Sequence, residues 1–274
     1  MKVLLGDYPV THALRSGELK SPKLPMEFAD VRLPQHAFKR LVNGLEFDLA
    51  EIAVVTFLLA KAHGRPYRLL PAVVMARSPH GYLCYNAARG PLFPGDLNGK
   101  TVGKRSYSVT TSTWIREILF KEYGVHQDKV NWVTFEAPHL AEFRDPPNVR
   151  RAPEGRDMES MLLSGELDAA ILGEPPKDPR IRPLIADPEG AAREWRRRTG
   201  AIHINHMVVA KNTVSPADSD LFLSLLKESR ARAGNPDMTP FGLEENRRNL
   251  EVAIATTHRQ GLIPRRFTVE ELFE

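Results

Sequence analysis

A single cysteine, Cys84, in 274 residues leaves no partner for an internal disulfide and no thiolate set for a zinc site. Long apolar runs are missing too. Nothing approaches the roughly 18 uninterrupted apolar residues of a membrane helix, and MKVLLGDYPV reaches Gly6 and Asp7 well short of a signal-peptide core. The chain is therefore expected to be cytoplasmic, with no membrane partner. Long basic tracts are also absent. The formal charge is only +4, and the arginines sit in short groups such as Arg196 to Arg198, without interleaved aromatics, so no nucleic-acid partner is expected. What remains is a mild preference for small anions. No serine or cysteine nucleophile motif and no glycine-rich dinucleotide loop occurs. GDLNGKT (Gly95 to Thr101) imitates a phosphate-binding loop, but three residues separate its glycines where four are needed, and its Lys-Thr precedes a strand instead of opening a helix.

With 42% hydrophobic and 26% charged residues, the chain can bury a sizeable core, enough for two small lobes or one large domain. Lys2 to Leu5 reads as a buried strand ending in the turn Gly6-Asp7-Tyr8-Pro9. Phe28 to Val31 is a second strand, Gln35 to Asn43 a helix closed by Gly44, and Leu45 to Phe47 a short strand. Asp48 is placed to cap a helix over LAEIAVVTFLLAKAHG. Leu70 to Met75 and Leu83 to Asn86 read as strands joined by a turn that carries Arg77 and His80. Beyond the Gly/Pro-rich stretch Gly90 to Gly99, strands are expected at Thr101 to Val102, Val130 to Phe135 and Ala169 to Leu172. Helices are expected at Met158 to Leu163 and Glu189 to Arg198, and Gly173 to Pro183 reads as an exposed loop. Met207 to Ala210 reads as a buried strand. A helix capped by Ser215 follows it, then one over Glu244 to Gln260, and last a capping box of Thr268 and Glu271.

The alternation of strands and helices predicts an α/β protein in two lobes. Residues 1–92 and 206–274 are expected to form one lobe and residues 93–205 the other, with the ligand cleft between them. Such folds place ligands at the carboxyl ends of strands. This would put Asp7, Arg77, His80, the Tyr107 to Thr113 loop and His206 near one cleft.

One stretch, Asp96 to Gly124, concentrates chemical potential. A short strand leads through a hydroxyl-crowded loop (Ser106, Tyr107, Ser108, Thr110, Thr111, Ser112, Thr113) into a helix on which Trp114, Ile115, Ile118, Leu119 and Tyr123 keep helical spacing. Unpaired backbone N–H groups, the positive helix end and several hydroxyls would suit a carboxylate or phosphate. The same residues are also ordinary helix caps, and the pattern leaves both readings open.

Five stretches carry a resemblance. They are LEFDLAEIAVVTFLLA (Leu45 to Ala60), DLNGKTVGKRSYSVTTSTWIREILFKEYGV (Asp96 to Val125), MLLSGELDAAIL (Met161 to Leu172), TGAIHINHMVV (Thr199 to Val209), and PFGLEENRRNLE with QGLIPRRFTVEELF near the end. In this order they resemble the 4,5-dihydroxyphthalate decarboxylases and their relatives, over roughly half of the chain. The resemblance implies a type 2 periplasmic-binding-protein fold and a nonoxidative decarboxylase of a hydroxylated aromatic carboxylate. His206 falls on the family's own histidine, and His80 with Tyr85 and Asn86 matches its pattern. The family's arginine segment reads VVMAR here, with Arg77 displaced by one position.

Such a reaction needs groups that hold carboxylates, a proton donor for the ring carbon that loses CO2, and stabilisation of charge on the ring hydroxyl. It requires no cofactor. His206 or His80 could deliver the proton. Arg77 or Arg105, with Tyr107, Thr110, Thr111 and Ser112, could hold a carboxylate. Asp7 and Glu51 complete the candidate binding residues, although a turn explains the first and a helix start the second equally well. His203 and His206 lie three apart on a strand and so face opposite ways, and no metal site is expected from them. The rival reading is a noncatalytic solute-binding protein for a small aromatic or anionic ligand. Association into a homo-oligomer is left open.

Overall fold

The computed structural model describes residues 1–274. In chain order the strands are β1 (Lys2–Leu4), β2 (Glu27–Phe28), β3 (Leu49–Ala53), β4 (Tyr67–Ala76), β5 (Leu83–Asn86), β6 (Thr101–Lys104), β7 (Asn131–Thr134), β8 (Val149–Arg151), β9 (Ala169–Ile171), β10 (Ile181–Pro183) and β11 (Ile204–Lys211). The helices are α1 (His12–Arg15), α2 (Phe38–Gly44), α3 (Val54–Ala62), α4 (Thr110–Tyr123), α5 (Met158–Ser164), α6 (Pro188–Thr199), α7 (Pro216–Arg232) and α8 (Leu243–Arg259).

The chain forms two compact units. The first comprises Met1–Arg77, His139–Ala141 and Ala201–Glu274, and the second Ser78–Pro138 and Glu142–Gly200. The first stretch therefore ends at Arg77 and not near residue 92. The reason is strand pairing: β5 runs antiparallel to β9 and β10 in the second sheet, and this carries residues 78–92 with it.

The first unit is built on a sheet of order β2-β1-β3-β11-β4. β1 pairs parallel with β2 and β3, whereas β11 runs antiparallel to β3 and β4. β3 is buried at all five positions, as expected of a strand covered on both faces. Val3, Leu5, Leu49, Leu70, Val74, Val208, Phe222 and Leu226 belong to one core, and each such side chain removed from water contributes about 1.5–3 kcal/mol. The second unit has a sheet of order β10-β5-β9-β6-β7-β8, with Val133, Met161, Leu162, Leu167 and Ala170 in its core.

Three local expectations change. LAEIA is a strand and the helix begins only at Val54, because an uninterrupted apolar run suits a doubly covered strand as well as a buried helix. Leu45 to Phe47 is not a strand; Leu45 takes left-handed angles and ends α2. The proline-rich loop expected at 173–183 ends in the edge strand β10, where Pro183 pairs opposite Cys84. The Thr268–Glu271 box forms as read: the Thr268 amide donates to Glu271 at 2.6 Å, and the Glu271 amide to the Thr268 hydroxyl at 3.3 Å.

Candidate active site

In the first unit the polar centre is Glu51. It lies on β3 opposite Val208 of β11, while His206 lies opposite Ala53. Residues two apart on a strand share a face, so Glu51 and His206 are diagonal neighbours on one side of the sheet, within reach of long side chains. The β11–β4 register shifts between Ile204 and Val208, and this irregularity falls on His206 itself.

Glu51 is fully buried, and three donors converge on its carboxylate. The Gly6 amide reaches Oε2 at 2.7 Å, the Tyr8 hydroxyl reaches Oε1 at 2.7 Å, and His206 Nδ1 bonds to the same Oε1. A buried carboxylate requires such partners, and here main chain, phenol and imidazole supply them. Tyr8 reaches back because the turn after β1 is held by Thr11. The Thr11 hydroxyl donates to the Gly6 carbonyl at 2.6 Å and accepts from the Tyr8 amide at 2.9 Å. The missing side chain at Gly6 matters, since a Cβ there would lie 2.6 to 2.7 Å from the Tyr8 ring and hydroxyl. Burial, with Glu51 alongside, raises the Tyr8 phenol far above its ordinary range, and it remains a proton donor. The positive charge of Arg77 opposes that rise.

His206 is 7% exposed. Phe38 meets its ring edge to face at 5.4 Å and meets His139 in the same manner, also at 5.4 Å. His139 in turn pairs through Nδ1 with the Thr56 hydroxyl at 2.9 Å. The imidazole of His206 is thus fixed at Nδ1 and along its ring, and Nε2 is the nitrogen left to exchange a proton. Asp7 stays outside this cluster. It is exposed and pairs with His12 Nδ1 at 2.8 Å, which raises the His12 pKa.

The remaining candidates belong to the second unit. His80 is fully buried, and burial together with the Arg198 charge lowers its pKa to about 4. A neutral imidazole without solvent exposure does not suit the role of proton donor expected for it. Tyr107 is a buried core residue. Lys104 Nζ stands 3.9 Å from its ring centre, and the Arg116 guanidinium 4.1 Å. Arg105 pairs with Glu136 at 3.8 Å. α4 begins at Thr110 as the sequence suggests, but the capping position is Val109 and no side chain caps the helix. Thr113 turns its hydroxyl to the Val109 carbonyl at 3.1 Å and receives Arg116. Thr110 and Ser112 are buried, and Thr111 is half-buried. No group of three or more His, Cys, Asp or Glu side chains is clustered as a metal site would require.

Sequence reasoning named Glu51 and His206 separately and missed Gly6 and Tyr8. The available signal was the Gly-Asp-Tyr-Pro turn at the end of the first strand, where a site of this fold class is expected.

The fold is that of the periplasmic binding proteins. The alkanesulfonate-binding protein SsuA from Xanthomonas axonopodis pv. citri, bound to MOPS, superposes with a TM-score of 0.59 at 13% identity, covering 99% of this chain and 96% of its own. The aliphatic sulphonate binding protein SsuA from Escherichia coli gives 0.58 at 12% identity, covering 100% and 96%. No protein-family model matches the chain. In sequence, the chain is similar to a 4,5-dihydroxyphthalate decarboxylase of Comamonas testosteroni, 26% identical over 316 residues, covering 100% of this chain and 96% of the relative. A Pseudomonas putida protein of the same name is 28% identical over 210 residues, covering 72% and 81%.

Proposed function

We propose that the protein is a nonoxidative decarboxylase of a hydroxylated aromatic carboxylate resembling 4,5-dihydroxyphthalate. The observation that carries this reading is the Glu51–His206 pair, with Nδ1 engaged and Nε2 left for proton exchange. Support also comes from two relatives named for this reaction, one of them aligned along the whole chain.

In the proposed reaction the bond between the ring and its carboxylate breaks and CO2 leaves. The bonding electron pair stays with the ring carbon, and the proton on His206 Nε2 is transferred to that carbon. His206 then regains a proton from solvent. The ring hydroxyl activates the ring toward protonation, and Arg77, whose charge acts on the Tyr8 phenol, supplies positive charge for a substrate carboxylate.

The second reading is a noncatalytic binding protein for a small anionic or aromatic ligand, favoured by the fold likeness to the two sulfonate-binding proteins. Incubation with a panel of hydroxylated phthalates and benzoates distinguishes the two. CO2 release from at least one acid supports the enzyme. Saturable binding with no CO2 release from any of them would establish the binding protein.

A further inference from the structure

We infer that Glu51 is a positioning residue for His206, and that Gly6 and Tyr8 serve to hold Glu51; the catalytic part of this inference rests on the decarboxylase reading. The argument is one of donors and acceptors. Glu51 is fully buried and receives a backbone N–H, a phenolic O–H and an imidazole nitrogen on its two oxygens. A carboxylate accepts at both oxygens and donates at neither. Because Gly6 and Tyr8 must donate, the acceptor capacity left at Oε1 selects the His206 tautomer that carries its hydrogen on Nδ1.

That selection has consequences for the reaction. The neutral ring presents its lone pair at Nε2, and the protonated ring presents a donatable hydrogen there. The edge-to-face contact with Phe38 restricts the ring's rotation, and the irregular register of β11 at His206 fixes where the side chain starts. Glu51 itself has no solvent-exposed surface with which to meet a ligand. Its work is therefore on His206, and it contacts no substrate, contrary to the binding role the sequence suggested.

An amide at position 51 cannot reproduce the pattern. Glutamine offers one acceptor oxygen and one donor nitrogen, so either Gly6 or the pair of Tyr8 and His206 would face an N–H2 group. The nearly isosteric Glu51→Gln substitution therefore disturbs orientation with little change of volume. Tyr8→Phe is milder. It deletes one donor, leaves the carboxylate, and frees Oε1 for His206 alone.

The test has two arms, so that failure of the positioning role and failure of the decarboxylase reading are told apart. Nitrogen-resolved NMR of the His206 ring, read on the free protein, reports the tautomer and the Nδ1–H resonance whatever the activity. The wild type is expected to hold its hydrogen on Nδ1. Glu51→Gln should populate the other tautomer, and Tyr8→Phe should keep the wild-type tautomer but move the Nδ1–H resonance as Oε1 bonds to His206 alone. With a turned-over acid, Glu51→Gln should lower kcat by roughly 10- to 100-fold, the scale of a misplaced catalytic group, with KM changed only a few fold. Wild-type tautomer and kcat in Glu51→Gln, or a loss confined to KM, overturns the inference. If Glu51→Gln does not fold, an unmoved His206 resonance in Tyr8→Phe overturns it. Absence of CO2 release by the wild type counts against the decarboxylase reading alone, and the NMR arm still decides the positioning.

Discussion

The two units each bury an ionisable side chain, and they accommodate it in opposite ways. In the first, Glu51 is surrounded by directional donors, and the histidine it holds keeps 7% of its surface exposed. In the second, Lys104 is fully buried with its Nζ 3.9 Å from the Tyr107 ring centre and 3.8 Å from that of Trp132, and no hydrogen bond reaches it. The Arg116 guanidinium also lies over the Tyr107 ring, 4.1 Å from its centre, and donates to the Tyr107 carbonyl at 2.9 Å. Ring faces attract a cation but have no direction at the scale of a proton transfer. Burial of an ionisable group alone thus does not mark a site. A hydrogen-bonded arrangement that ends in an exchangeable position does.

The comparison can be broken hardest in the second unit. Trp132 is 1% exposed, lies beside Lys104 and meets Tyr107 at 6.5 Å, so Trp132→Ala should cost about 3–5 kcal/mol, read by chemical denaturation. A cost below about 1 kcal/mol would mean that the rings do not hold this part of the core. Next comes His206→Ala, expected to lower turnover by roughly 100-fold or more while ligand binding changes only a few fold. A fully active variant would remove the proton donor from the proposed reaction.

Smaller effects sharpen the contrast. Gly6→Ala forces a methyl group against the Tyr8 ring and should cost about 1–3 kcal/mol as the phenol leaves Glu51. Retention of the Tyr8–Glu51 bond in a crystal structure of that variant would show that the turn yields instead. For Lys104 the sign follows from burial, reinforced by the Arg116 charge, which lowers its pKa well below the ordinary lysine range. Below that range the unfolded chain binds the proton first, so the residue costs stability at neutral pH, and the cost fades as pH rises toward about 10.4. Lys104→Met should therefore match or exceed the wild type in Tm at pH 7, with the advantage shrinking toward pH 10. A Tm lost at pH 7 would show that the ring faces outweigh desolvation and keep the ammonium charged.

The long helices were legible because their amphipathic spacing and caps are local. Predicted limits Glu189 to Arg198 and Glu244 to Gln260 compare with Pro188–Thr199 and Leu243–Arg259. β3 was not legible, since a strand covered on both faces has no period to read. The site was half legible. His206 entered through resemblance and Glu51 as a presumed helix-start carboxylate. Their pairing depends on an antiparallel contact across 155 positions of sequence, which no local pattern encodes. Lys104 was opaque for a related reason: in GKRSY a lysine reads as solvated, and its enclosure is completed by Trp132 on the neighbouring strand, beside the ring contact that Tyr107 of its own loop makes.

The smallest expected effect compares two acidic residues on either side of the same turn. Asp7 and Glu51 are both reached from the end of β1, but Asp7 lies in solvent and engages only His12, whereas Glu51 gathers three donors in the core. An exposed ion pair is screened by water and salt and contributes little. Asp7→Asn should therefore leave turnover and Tm unchanged within error, and its one clear consequence should be local. The neighbouring carboxylate holds the His12 pKa up, so its loss should let the His12 titration followed by NMR move down toward the ordinary imidazole value. A drop in kcat in Asp7→Asn would show that this aspartate turns inward during the reaction and would extend the site beyond the Glu51 cluster.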